Sequence, residues 1–143
     1  MRKTMFLIVA AVALVPIVKA QSAQTKPKTI PIYLDCKAGG ADRIGLRICT
    51  ALTDDIALSP RYVESNLSPG VFVLHVGTME VPEHPISAQS IVLTFAVGDG
   101  EYFVDLTQAI TGSGEVKDAA DKIMAAIDDD IQKFQGKGKM PSN

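Results

Sequence analysis

The sequence predicts an α+β fold: a mixed or antiparallel sheet of four to five strands with two helices packed on one face, in the order β-α-(β)-β-β-β-α. Three observations lead there. Segments such as Ile30–Cys36 and Ser87–Val97 alternate apolar and polar residues with the period of a half-buried strand. Ile44, Ile48, Leu52 and Ile56 recur every four residues, and Val116, Ala120, Ile123, Ile127, Ile131 and Phe134 form a second helical stripe. Gly98-Asp99-Gly100 joins two strand-like runs as a tight hairpin, because Asp-Gly accepts the positive φ such turns need. Two apolar helical stripes beside hairpin-linked strands require the same sheet face for cover.

Taken in order, Thr29–Cys36 opens the fold as a strand with Ile30, Ile32, Leu34 and Cys36 on one face. Pro31 cannot donate to a ladder, so this strand starts there or lies at an edge. Gly39-Gly40 breaks the chain and Asp42 is placed to cap a helix over Arg43–Leu58. Pro60 stops that helix by disfavouring helical backbone at Ser59. Arg61–Glu64 reads as a short strand, and Ser68-Pro69-Gly70 as a turn. Val71–Val81, rich in β-branched and aromatic residues, is the strongest strand, with His75 on the side of Val71, Val73 and Met79. Ser87–Val97 follows the proline-containing Val81–Pro85 loop, with Ile91, Leu93, Phe95 and Val97 on one face. Glu101–Ile110 returns with Tyr102, Val104, Leu106 and Ile110 on one face, and Ser113 is the expected cap of the closing helix.

The first twenty residues bear on location. Arg2 and Lys3 precede an apolar run from Met5 to Val18, followed by Val18-Lys19-Ala20, the pattern of an export signal cleaved after Ala20. The apolar run is too short for a stable bilayer span, so no stable membrane anchor is expected. The expected organisation is a signal at 1–20, a polar tether at 21–29, one domain at 30–134 and a disordered tail at 135–143. Export is expected to lead to the periplasm or the medium. Removing the signal takes away three of the 14 basic residues and none of the 16 acidic ones, leaving a formal charge of about −5. That sign repels phosphate backbones and anionic lipid head groups, which argues against nucleic acid as a partner.

Both cysteines, Cys36 and Cys49, fall in the exported part, where thiols oxidise and only one intramolecular pairing exists. A link would pin the first strand to the first helix; a pair of free buried thiols is the alternative. The spacing is not that of a Cys-x-x-Cys redox motif.

Several local phrases resemble the amino-terminal domain of the translocation protein TolB, and related small periplasmic domains such as the penicillin-binding-protein activator LpoB. Asp54–Val63 matches the serine-centred helix stop and short strand of that group, and Val71–Val76 and Phe95–Phe103 match its strands and hairpin. Ala120–Ile127 carries its closing-helix rhythm. The resemblance covers residues 30–134 through patterns of hydrophobicity, and it implies a non-enzymatic envelope domain that docks on a partner protein. The β-propeller of TolB has no counterpart in these residues, so propeller-based binding is not carried over, and the cysteine pair is not assigned to that group.

Catalytic signatures are sparse. His75, His84, Glu80 and Glu83 are the local metal-ligand candidates, but alternation sets Glu80 on the strand face opposite His75. Ser87, Ser90 and Thr94 lie near the histidine strands without a Gly-x-Ser-x-Gly or Ser-x-x-Lys motif. Glu101 is read as the solvent side of the hairpin and Asp105 as exposed on the open sheet face. Asp128-Asp129-Asp130 spans about 200° of a helix and so cannot form one chelating face. No cofactor is expected. The open face, with Tyr33, Phe103, Asp105 and Thr107, is the candidate docking patch for an envelope or secreted protein. The expected function is that of an exported, non-enzymatic adaptor or accessory subunit. The alternatives are an inhibitor or immunity protein against a toxin or hydrolase, and a small carrier of an apolar ligand; the oligomeric state stays open.

Overall fold

A computed structural model describes residues 29–137 of the chain. The proposed signal, the tether up to Lys28 and the tail beyond Lys137 lie outside those residues. The elements run β1 (Ile30–Gly39), α1 (Arg43–Leu58), β2 (Tyr62–Glu64), β3 (Phe72–Glu80), β4 (Ile86–Val97), β5 (Gly100–Gly112) and α2 (Val116–Gly136). This is the expected α+β order. The five strands form one mixed sheet in the spatial order β2-β1-β3-β4-β5. β1 runs parallel to both β2 and β3, while β3, β4 and β5 are antiparallel.

Period-2 alternation aligns the core in cross-strand rows. Ile32, Phe72 and Phe95 face one another across β1, β3 and β4; Leu34, Leu74 and Leu93 form the next row, and Cys36, Val76 and Ile91 the third. These rows face the helices, whose buried residues Ile48, Leu52 and Ile56 on α1 and Ile123, Ile127 and Ile131 on α2 complete a single core. Phe72, Phe95, Tyr102 and Phe134 cluster at one end, with the Phe72 and Phe95 ring centroids 4.9 Å apart.

Cys36 and Cys49 are joined, with their Cα atoms 5.7 Å apart. The bond ties β1 to α1 across a loop of 13 residues, which stabilises the fold by about 3 kcal/mol in the chain-entropy model. Cys36 lies within β1 and not at its end, because parallel pairing with β3 carries the strand on to Gly39.

A buried polar chain holds the far ends of the strands under α1. Asp42 caps the helix by accepting from the Gly45 amide at 2.7 Å, and it also accepts from Ser87 Oγ at 2.6 Å. Gln89 donates to the Ser87 carbonyl at 2.6 Å and accepts from Thr111 Oγ1 at 3.0 Å, which fastens β5 to β4. Burial opposes ionisation of Asp42, but these donors outweigh it and hold the carboxyl below its ordinary range. Only glycine fits at position 45: a Cβ there would lie 1.8 Å from Thr78 Oγ1. The cap of α2 differs from expectation. The helix starts at Val116 with Glu115 at the cap position, and the Glu115 carboxylate accepts from the Gly112 amide at 3.4 Å; Ser113 instead offers its carbonyl to Arg47.

The largest departure lies in β5. Leu93 pairs with Asp105 and Thr94 with Phe103, so Val104 is an extra residue in a β-bulge. An inserted residue reverses the faces of everything beyond it. Tyr102 packs toward α2 as the alternation predicts, but Leu106 and Ile110 point to the opposite, open face.

Leu52 is fully buried and Leu58, on the same helix, is 83% exposed. Leu52→Ala is expected to cost about 2–5 kcal/mol in urea unfolding and Leu58→Ala less than about 0.5 kcal/mol. Equal costs would show that α1 presents a different face to the sheet.

Candidate functional site

β5 is the edge strand on which two surfaces meet. On the open side, alternation in β1, β3 and β4 aligns Tyr33, Val73 and Thr94 in one row and Asp35, His75 and Val92 in the next. The His75 ring lies between two carboxylates, with Nδ1 3.2 Å from Asp35 Oδ2 and Nε2 2.7 Å from Glu101 Oε2. Lys37 donates to the same Asp35 oxygen at 3.1 Å, and Thr94 Oγ1 donates to Glu101 Oε2 at 2.5 Å. Hydrogen bonds from Lys37 and then His75 hold the Asp35 carboxyl below its usual range, and those from Thr94 and then His75 do the same for Glu101.

The cluster has the members of a nucleophile, base and acid set, since Thr94 Oγ1 stands 3.4 Å from His75 Nε2. Its hydrogen bonds run differently. The Thr94 proton goes to Glu101, which also occupies His75 Nε2, so the four side chains form a cross-strand clamp. Alternation set His75 on the same face as Val73 and Met79, and the sheet register makes that the open face. It did not bring Asp35 and Glu101 to the ring, and Glu101 is not merely the solvent side of the hairpin. Only the register across four strands produces that meeting, and its one sequence signal is Asp35 and His75 at like-facing positions of two strands.

On the helix side, β5 beyond the bulge presents Asp105, Thr107 and Ala109 to α2. With Ala119, Ile123 and Ala126 of α2 they line a cavity of about 170 Å³. Asp130 lines it too; burial and then a hydrogen bond with the Asp105 carboxyl push the Asp130 carboxyl up. The three consecutive acids at 128–130 diverge as their helical spacing requires. Asp128 meets Arg61 at 3.2 Å, Asp129 meets Lys133 at 2.5 Å, and Asp130 turns to Asp105. The four residues expected on one open face therefore divide. Tyr33 and Phe103 lie on it, whereas the bulge carries Asp105 and Thr107 to the helix side. Among the described residues, no group of three His, Cys, Asp or Glu side chains is arranged to hold a metal ion. Nor is any helix there long and apolar enough to cross a membrane.

The architecture is that of a small α+β domain with two helices on one face of a mixed five-stranded sheet. No family model matches the chain, and no curated protein matches it. Among solved structures, it is similar to TolB from Acinetobacter baumannii, with a TM-score of 0.50 and 9% identity over 76% of this chain and 30% of that one. The likeness is one of fold, and this chain spans less than a third of that protein's length.

The clamp makes stability depend on pH with a defined sign. Asp35 and Glu101 have lowered carboxyl pKa values in the folded state, so their contribution is present above the ordinary carboxylate range and lost as pH falls through the folded values. Between about pH 6 and about pH 3, Asp35→Asn/Glu101→Gln should lose unfolding free energy less steeply than the parent chain. Equal slopes in urea titrations would show that neither carboxylate is held by the clamp.

Proposed function

We propose that this protein is an exported adaptor or accessory subunit of the cell envelope that docks on a partner protein through β5 and acts without catalysis. The observation that carries the reading is the character of that edge. β5 is 13 residues long and pairs on one side only among the described strands. From Leu106 to Gly112 it has neither a charge nor a proline, the usual guards of a free edge. Phe103, Leu106 and Ile110 along it are 58%, 50% and 69% exposed, with the equally exposed Met79 near Ile110 on the same face. The opposite edge, β2, is three residues long and ends on Glu64. A long, unguarded apolar edge is a template for an added strand from a partner. Export is supported by the amino-terminal pattern and by the Cys36–Cys49 bond, which persists in oxidising compartments. The TolB-like fold supports an envelope setting by analogy alone.

The cavity between β5 and α2 favours a second reading, a carrier of a small ligand. Its volume of about 170 Å³ suits a ring-sized or single-chain group.

A photo-crosslinking residue placed at Phe103 or Ile110 of a tagged, exported copy should capture one reproducible envelope protein in cells. The same residue at Leu58, equally apolar and exposed on α1, should not. Loss of adducts at both β5 positions, or equal adducts from Leu58, would contradict docking through this edge.

A further inference from the structure

The cavity beside the docking edge has a composition that selects its occupant. Part of its wall is apolar and kept open by small residues: Ala109 from β5 faces Ala119 and Ala126 from α2, where larger side chains would close the space. Four carboxyls also line it; Asp118 is taken by Lys122 and Glu115 by the Gly112 amide, which leaves Asp105 from the bulge and Asp130 from the helix. We propose that this cavity seats the side chain of a lysine carried by the partner segment that pairs with β5, its methylene stem against the alanines and its ammonium between Asp105 and Asp130. The inference rests on the docking reading above and specifies the partner's chemistry.

Four features converge on it. A strand added at an edge sends alternate side chains to each sheet face, so some of them turn to the helix side, where the cavity lies. The volume of about 170 Å³ is that of one long side chain rather than of a folded ligand. Lysine combines an apolar stem with a cationic tip, which matches an apolar wall with carboxyls beside it. The acid pair is also only partly compensated by cations. Lys122, which lines the cavity, is held by Asp118 at 2.6 Å, and Lys133 sits on Asp129 at 2.5 Å while only reaching Asp130 at 3.6 Å. Burial and the Asp105 carboxyl raise the Asp130 pKa, a penalty that an incoming ammonium relieves.

The test uses methyl and amide NMR of the exported chain titrated with the blocked pentapeptide Val-Thr-Lys-Thr-Val. A second peptide replaces lysine by norleucine, which keeps the stem and removes the charge. The lysine peptide should shift the methyls of Ala109, Ile123 and Ala126 together with the amides of Leu106–Ile110, and bind about tenfold more tightly than its norleucine form. Asp105→Asn/Asp130→Asn should bring the two peptides within about twofold; Asp105→Asn alone serves if the double variant does not fold. Equal binding of the two peptides to the parent chain would overturn the proposal. So would n-pentylammonium shifting the cavity methyls while the lysine peptide leaves them unmoved, which would assign the cavity to a free amine. Crosslinking from Phe103 reports on edge docking separately, so adducts there without a lysine preference would refute the cavity's role and leave the docking reading standing.

Discussion

One inserted residue, Val104, determines how the two sides of this domain differ. Without it, β5 would continue the alternation begun at Tyr102 and turn Leu106 and Ile110 into the space under α2, as larger neighbours of the core. With it, Asp105, Thr107 and Ala109 face the helix and the two large aliphatics stand in water. The helix side of the edge becomes small and acidic, and the open side becomes apolar. The cavity and the exposed stripe are thus two consequences of the same slip.

The rest of the domain holds that edge in place. The Cys36–Cys49 bond and the buried stripe of α1 make β1 and β3 a fixed centre. From there the Asp42–Ser87 contact and the Gln89–Thr111 hydrogen bond reach outward to the end of β5, while the His75 clamp ties its beginning to β1, β3 and β4. The buried contacts from Asp42 to Thr111 are of the kind that stiffens a fold when its members are satisfied. A rigid strand with no neighbour on its outer side among the described residues is preorganised for pairing, which reduces the ordering cost on association.

Much of this could be read in the chain itself, and the limit of legibility has a physical origin. The four-residue spacing of Ile44 to Ile56, with Asp42 before it and Pro60 after it, defined α1 as Arg43–Leu58, the span the structure shows. The pairing of Cys36 with Cys49 followed from there being two cysteines, and the shared face of His75, Val73 and Met79 from simple alternation. These are local or combinatorial signals. Asp105 and Thr107 were misplaced because a bulge breaks the ladder without changing the residue types that form it. Asp35, Thr94 and Glu101 meet at His75 only through register across four strands, which no local period encodes. Ser113 was a sound cap by composition, yet the chain enters α2 two residues later, at Glu115.

The face reversal at Val104 is most directly tested by methyl-to-methyl nuclear Overhauser contacts in the folded chain. The Ala109 methyl should show cross-peaks to Ile123 across the cavity, and the Leu106 methyls should contact Val92 and nothing on α2. Cross-peaks from Leu106 to Ile127, with none from Ala109 to the helix, would mean that β5 runs through in unbroken alternation. Neither the cavity nor the apolar edge would then exist as described.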